Sequence, residues 1–385
     1  MPQQQESKKT VMTFSIASFL NDMGSDMIYP IWPIFLSTVL QADMAVIGLI
    51  DGLGDAIVSI SQAISGYYSD KLKKRKVFVW IGYIAGGISR IGYAFASAWQ
   101  HIIPFRILDR AGKMRGAPRD AIISDVSTDQ NRGRNFGILR TFDNLGAVAG
   151  ILITVFLFQY LGYKNLFLLA AIPSFIGTAL IIAFVKERKV EDKKVFKGIS
   201  FKSFDKNFKL LTLLSAIFTL GSFSYSFILI YAKEFGFSIT SIPVLYLLFT
   251  VVASIFSLPF GKLSDKIGRK KVLMISFILW ALTCLSLLFF HNLTAVIVSF
   301  ILYGIHKGAF ETVQKAFVAE SAPKEMTASS LGAFQMVVGL CALPSSLIAG
   351  ILWDKAGFMT PLYLALVLTS IAAFLLLFVK KARAN

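Results

Sequence analysis

Asp22 and Asp26 lie four residues apart in a strongly apolar stretch, so a helix there puts both carboxylates on one face. Ser18, Ser25 and Tyr29 fall near that face. Such carboxylates either neutralise a neighbouring cation or titrate and meet a ligand, and one that alternately pairs and protonates carries a proton. Asp51 and Asp55 repeat the spacing. The stretch 101–125 adds Arg106, Asp109, Arg110, Lys113, Arg115, Arg119 and Asp120, and Arg140 and Asp143 follow. On an unbroken helix, at about 100° per residue, Arg106, Asp109, Lys113 and Asp120 share one side while Arg115 and Arg119 share nearly the opposite one. One set then meets a solute path and the other pairs with neighbouring helices. His306, Lys307 and Glu311 form a second mixed group farther along. Each ionisable group at a helix centre in hydrocarbon costs roughly 2.5–3.5 kcal/mol, so these groups should pair or line a wet cavity.

The elements that must hold them are apolar helices. The chain has 385 residues, 55% hydrophobic and 14% aromatic, with a mean hydropathy of +0.66. Soluble domains are less apolar than this, and runs of 18 or more apolar residues point to lipid as the solvent. The net charge is +17, from 39 basic and 22 acidic residues. The basic residues concentrate in short loops between apolar runs, which argues against a nucleic-acid partner. Cys284 and Cys341 sit inside apolar runs, in no metal or redox spacing. Met1–Thr10 is polar and lacks the apolar core of a signal peptide.

Twelve spans are expected, near residues 11–37, 46–69, 77–98, 101–125, 135–161, 164–185, 210–235, 241–263, 272–290, 294–320, 328–353 and 359–380. They leave no room for a separate enzyme module. The chain divides into a six-helix bundle at 1–185, a basic linker at 186–209 and a second six-helix bundle at 210–385. The linker carries nine lysines and arginines, and the loops after spans 2 and 8 and the tail are basic too. The positive-inside rule then places both termini and the linker in the cytoplasm.

The two bundles are related. Gly66-Tyr67-Tyr68-Ser69-Asp70-Lys71 returns 195 residues later as Gly261-Lys262-Leu263-Ser264-Asp265-Lys266. The same offset carries Ala121 to Ala316, Asp125 to Glu320 and Gly137 to Gly332. These are parallel repeats of six helices each, the arrangement of a transporter with a pseudo-two-fold axis along the membrane normal. Arg119, Arg140 and Asp143 map to Gln314, Gln335 and Val338, so the second half has lost much of this charge.

The repeated segment resembles the signature of the major facilitator superfamily, G-x-x-x-D-(R/K)-x-G-(R/K)-(R/K). Gly261–Lys270 fits it throughout; the first copy departs at Lys73, where glycine is usual. Met27–Pro33 is similar to the P-x-x-P segment of many bacterial drug and metabolite antiporters. The resemblance implies an all-α integral membrane fold of twelve transmembrane helices, with spans 1, 4, 7 and 10 around a central cavity and alternating access.

On that frame Asp22, Asp26 and Glu311 are the proton-coupling candidates, although Glu311 could simply pair with Lys307 one turn away. Tyr29, Asp109, Arg110, Lys113, Tyr225, His306 and Lys307 are the substrate candidates. Asp70, Arg75, Asp125, Asp265, Arg269 and Glu320 are the cytoplasmic gate, with Arg75 set to pair with Asp125 and Arg269 with Glu320. The expected function is a proton-coupled secondary active transporter for a small polar, anionic or zwitterionic solute such as a polycarboxylate metabolite or siderophore. Alternatives are multidrug/proton antiport and divalent metal export, the latter using Asp22, Asp26, His306 and Glu311. No Walker motif is present, so no ATP-driven step is expected. A monomer in a bacterial cytoplasmic membrane, contacting lipid, with no cofactor and no resident metal, completes the expectation.

Overall fold

The computed structural model describes residues 2–72, 74–128, 131–187, 206–321 and 327–380. Lys73, residues 188–205 of the basic linker and the Asp70 side chain lie outside the described residues. Among the described residues the chain is helical, with no strand. The first expected span comprises α1 (Pro2–Asp26), a bend, α2 (Trp32–Ile34) and a π turn at Phe35–Val39. Pro30 and Pro33 withhold N–H donors there, and the Thr154 hydroxyl donates to the Met27 carbonyl at 2.6 Å. α3 (Met44–Lys71) and α4 (Lys76–Ala94) follow. Span 4 is broken into α5 (Trp99–Ala111), a 3-10 turn at Gly112–Arg115 and α6 (Gly116–Asp125).

Spans 5 and 6 are the two arms of α7 (Arg132–Phe184), parted only at Gly162, where φ is 65° and ψ is −175°. That backbone is open to glycine and strained for other residues, so one residue suffices for the break. Span 7 is interrupted between α8 (Lys206–Leu220) and α9 (Tyr225–Glu234). α10 (Ile242–Ile267), α11 (Arg269–Phe289), α12 (Leu293–Ser321), α13 (Thr327–Ala356) and α14 (Thr360–Phe378) complete the chain. Among the described residues nine helical stretches are long and apolar enough to cross a membrane. α1 and the α5–α6 pair fall short, and both carry several charged residues.

The fold is all-α, with twelve spans in two halves of six. By spatial clustering, one compact unit holds residues 1–41 and 57–196, and the other holds 42–56 and 197–385. The first part of α3 therefore clusters with the second unit. In the first unit α1 packs against α7. A Cβ on Gly146 would lie 2.3 Å from the Phe19 carbonyl oxygen, and one on Gly150 would lie 2.1 Å from that of Met23. The small-xxx-small spacing lets the two backbones touch. Gly137 and Gly332, paired by the repeat, have nothing within 4 Å of a Cβ, and no packing reason for them is visible.

In the second unit Asp354 caps the start of α3, accepting from Met44 N at 3.1 Å and Ala45 N at 2.8 Å. Nearly two turns farther along α3, Asp51 is 2% exposed. It accepts hydrogen bonds from the hydroxyls of Ser226 and of Ser224, the latter at 2.7 Å. Ser224 is also the N-cap of α9, so this carboxylate faces the positive end of a broken helix.

The repeated loops differ as Lys73 foretold. Gly268, at φ 95°, alone separates α10 from α11. In the first copy α3 ends at Lys71 and α4 begins at Lys76. The loops nevertheless share a lysine contact. Lys76 Nζ donates to Ile182 O at 2.8 Å, and Lys270 Nζ to Leu377 O and Val379 O at 2.7 and 2.9 Å. In each unit the lysine closes carbonyls at the end of the last helix, where a cation is favoured.

Candidate functional site

Within the first unit, α5–α6 runs antiparallel to the α1–α2 segment, and four arginines meet it at successive levels. The Arg119 guanidinium donates to Ser18 Oγ at 2.6 Å. Arg115 lies 3.6 Å from Asp22 Oδ1 and 5.0 Å above the Tyr83 ring centre. Arg110 donates to the Tyr29 hydroxyl at 3.2 Å and covers its ring at 5.3 Å. Arg106 sits 4.6 Å over the Trp32 ring. All four arginines are at least nine-tenths buried. Cation–π and ion-pair contacts offset the loss of water around such groups.

This overturns the split into opposite faces expected for an unbroken helix. The 3-10 turn supplies the reason. It advances about 120° per residue where an α-helix advances about 100°, so four residues add about 80° of rotation. Arg115 and Arg119 are thereby carried round toward Arg106 and Arg110. Close packing accompanies the turn: a Cβ on Gly82 would lie 2.4 Å from Gly112 O, and one on Gly112 would lie 2.7 Å from Gly82 O.

One rung of the ladder is open. Asp26 and Lys113, both half-buried, have no ion-pair partner within 4.0 Å among the described residues. The charges acting on Asp26 are Asp22, Lys113, Arg90 and Arg110. Asp109 is buried, 3.7 Å from Arg110 Nε, and also lies in the field of Lys113, Arg106 and Arg90. A small cavity is walled by Ser25, Ile28, Tyr29, Arg90, Tyr93, Arg106 and Asp109.

Arg90 has a different character. It is 2% exposed, and its guanidinium donates to Ala170 O at 2.8 Å, Asn21 O at 3.1 Å, Ser25 Oγ at 2.8 Å and the Ser174 hydroxyl. Ser174 in turn donates to Asn21 Oδ1 at 2.9 Å. Carbonyl and hydroxyl oxygens thus hold this charge, joining α1, α4 and α7.

Below the ladder, Arg119 also meets Asp120 at 3.0 Å and Asp143 at 3.7 Å, and Arg140 meets the same two carboxylates at 3.6 and 3.2 Å. Among the described residues the second unit offers no equivalent. Gln314, which replaces Arg119, is buried with its amide nitrogen lacking a hydrogen-bond partner among the described residues.

In the second unit the candidates are dispersed. His306 is 1% exposed, its Nδ1 2.8 Å from Ser276 O, within a cluster of Phe218, Trp280, Tyr303 and Phe310. It is placed as a packing residue. Lys307 pairs with Glu311 at 3.5 Å and lies 5.8 Å from the Tyr303 ring centre, and Asp55 acts on it electrostatically. Tyr225 packs edge-on to Tyr246. Sequence reasoning left Asp51, Arg115, Arg119 and Asp143 outside the site. The available signal was internal: the repeat replaces Asp51 by Tyr246, Arg119 by Gln314 and Asp143 by Val338. Among the described residues no three His, Cys, Asp or Glu side chains gather as a metal site.

At the repeated loops the paired residues do come together. Arg75 contacts Asp125. Arg269 meets Asp265 at 2.6 Å and Glu320 at 2.9 Å, and donates to Ser264. Glu187, which the sequence did not single out, accepts from the backbone N–H of Arg75 at 2.8 Å and of Lys76 at 3.1 Å, capping α4.

Twelve apolar spans in two repeated halves, with charge buried in spans 1 and 4, define a multi-pass membrane transporter rather than an enzyme. The Major Facilitator Superfamily model matches residues 14–229 and again 210–385. The chain belongs to the major facilitator superfamily. It is 40% identical over 384 residues to the MFS-type transporter MJ1317 of Methanocaldococcus jannaschii, covering 97% of this chain and 96% of that one. It is 24% identical over 282 residues to the multi-drug resistance efflux pump PmrA of Streptococcus pneumoniae, covering 67% of this chain and 68% of the pump. Among solved structures, the nucleoside transporter NupG superposes with a TM-score of 0.82 at 16% identity, over 97% of this chain and 100% of that one.

Proposed function

We propose that this protein is a proton-coupled secondary transporter that moves a small polar organic solute, anionic or zwitterionic, by alternating access. The observation that carries this reading is the charged α1/α5–α6 ladder, with Asp26 and Lys113 half-buried at its open rung. Buried mixed charge of this kind suits a polar ligand better than a lipophilic one. Asp22 against Arg115, and Asp26, are the coupling residues: a carboxylate that takes a proton loses its hold on a cation, and regains it on release. Within the first unit, Arg110, Lys113, Asp109 and Tyr29 form the solute side. The proton gradient is the energy source, no cofactor takes part, and the protein works as a monomer in the cytoplasmic membrane with both termini inside.

Proteoliposome uptake with and without an imposed pH gradient tests the coupling. Accumulation should depend on the gradient in the wild type and fall at least tenfold in Asp22→Asn. Flux indifferent to the gradient, to Asp22→Asn and to Asp26→Asn would overturn coupling through α1.

The pairs Arg75–Asp125 and Arg269–Glu320, with Asp70 and Asp265, serve as a cytoplasmic gate whose contacts break and re-form during transport. The Arg269–Glu320 bridge is partly exposed, so breaking it should change stability by about 1 kcal/mol or less; Arg75 is buried, but Asp125→Asn keeps a side-chain oxygen as its acceptor. Glu320→Gln and Asp125→Asn should therefore insert into membranes at wild-type levels yet transport several-fold more slowly. Wild-type uptake by both variants would remove the gate role.

Multidrug efflux is the second reading, favoured by the similarity to PmrA. Proton-driven export of a lipophilic cation by the same proteoliposomes, with no uptake of polar solutes, would select it.

A further inference from the structure

The ladder between α1–α2 and α5–α6 is closed at every level but one. Arg119 rests on Ser18, Arg115 on Asp22, Arg110 on Tyr29 and Arg106 on Trp32. At the remaining level Asp26 and Lys113 are more than 4.0 Å apart, and each lacks an ion-pair partner among the described residues. Each nevertheless lies within the other's field. We propose that this open rung is a zwitterion site, which takes an organic ammonium at the Asp26 carboxylate and the same molecule's carboxylate at Lys113 Nζ. The proposal rests on the polar-solute reading above and narrows it to one class, the amino-acid-like compounds.

The surrounding charges argue for both signs on one ligand. A plain anion at Lys113 would face Asp26 and Asp109, both of which act in the same field as that lysine. A plain cation at Asp26 would face Arg90, Arg110 and Lys113. Like charges brought together in a poorly hydrated site oppose binding in either case. A molecule with an ammonium and a carboxylate meets an opposite charge at each end. Each end then makes a charge-assisted hydrogen bond of about 2.8 Å with a group that has no ion-pair partner among the described residues. The aromatic faces nearest the rung, Tyr29 and Trp32, are covered by Arg110 and Arg106. They are therefore not open platforms for a lipophilic cation.

The test is thermal unfolding of the purified full-length protein in detergent. The probes are glycine, alanine, leucine and γ-aminobutyrate, with propionate, propylammonium and tetraphenylphosphonium as single-charge compounds. At least one of the four zwitterions should raise the unfolding midpoint by about 3 °C or more. Neither propionate nor propylammonium should do so. Asp26→Asn and Lys113→Gln should each weaken that effect at least tenfold in concentration, Asp26→Glu should largely restore it, and Lys355→Gln, at an exposed site on α13, should leave it intact. Ligand-free midpoints and size-exclusion profiles establish that the variants are folded. Stabilisation by propionate alone, lost in Lys113→Gln, would overturn the zwitterion site while leaving the polar-solute reading standing. Stabilisation by tetraphenylphosphonium alone would overturn both. No stabilisation by any of the four zwitterions, or a zwitterion effect that survives both Asp26→Asn and Lys113→Gln, would overturn the site.

Discussion

Gly150→Ala should sharply reduce the recovery of folded protein, whereas Gly133→Ala should be neutral or slightly stabilising. Both changes replace glycine by alanine within α7, where helix propensity alone favours alanine by about 1 kcal/mol. The surroundings decide the sign. A Cβ at Gly133 meets nothing within 4 Å, but at Gly150 it would lie 2.1 Å from Met23 O and 3.0 Å from Met27 N. The obstacle is backbone, which cannot swing aside as a side chain does. α1 must then move off α7, and the cost should reach or exceed the ~1–3 kcal/mol of ordinary overpacking. Gly146→Ala, against Phe19 O at 2.3 Å, should behave like Gly150→Ala, and the double variant should be worse than either. Fluorescence-detected size exclusion and the unfolding midpoint measure this. A Gly150→Ala protein with the wild-type midpoint would show that backbone contact does not set the α1–α7 spacing.

Arg90→Met should be the most damaging single change to a charged residue in the first unit. Hydrogen bonds to a charged group contribute about 1.5–3 kcal/mol each, and removal of the charge leaves buried acceptors unmatched. With Asn21, Ser25, Ala170 and Ser174 all served by one guanidinium, a net loss on the order of 3–5 kcal/mol is expected. Arg90→Lys should not restore it, because an ammonium on a single stem cannot reach acceptors from two helices as a planar fork does. The measurement separates structure from solute contact. If Arg90→Met keeps the wild-type midpoint and loses only uptake, Arg90 belongs to the solute site and not to the frame.

The architecture was readable because its causes are local or periodic. Apolar runs of span length, basic loops and a 195-residue offset need no tertiary information. The departure from the signature at Lys73 marked the first turn as different in detail, and the second turn's φ of 95° at Gly268 is suited to glycine. The site was only partly readable. Asp22, Asp26, Lys113 and Arg110 stood out by type and spacing, but the opposite faces expected for Arg106 and Arg115 hold only on an unbroken helix. Nothing in Gly112–Arg115 distinguishes a 3-10 turn from an α-helical one before it packs against Gly82. The type of His306 suggests chemistry, while its enclosure by four aromatic side chains is a tertiary fact that no local pattern carries. Asp51 was visible as a charge, but its hydroxyl partners lie more than 170 residues away in sequence, at Ser224 and Ser226.

The four-residue turn at Gly112–Arg115 also sets a length. A 3-10 helix rises about 2.0 Å per residue and an α-helix about 1.5 Å, so the turn holds α6 about 2 Å farther along than continuous α-helix would. Rewinding it would be a screw stroke, drawing α6 in by about 2 Å and rotating it by about 80°. Arg115 and Arg119 would leave Asp22 and Ser18 together, while Arg106 and Arg110, on the other side of the turn, would keep their places on Trp32 and Tyr29.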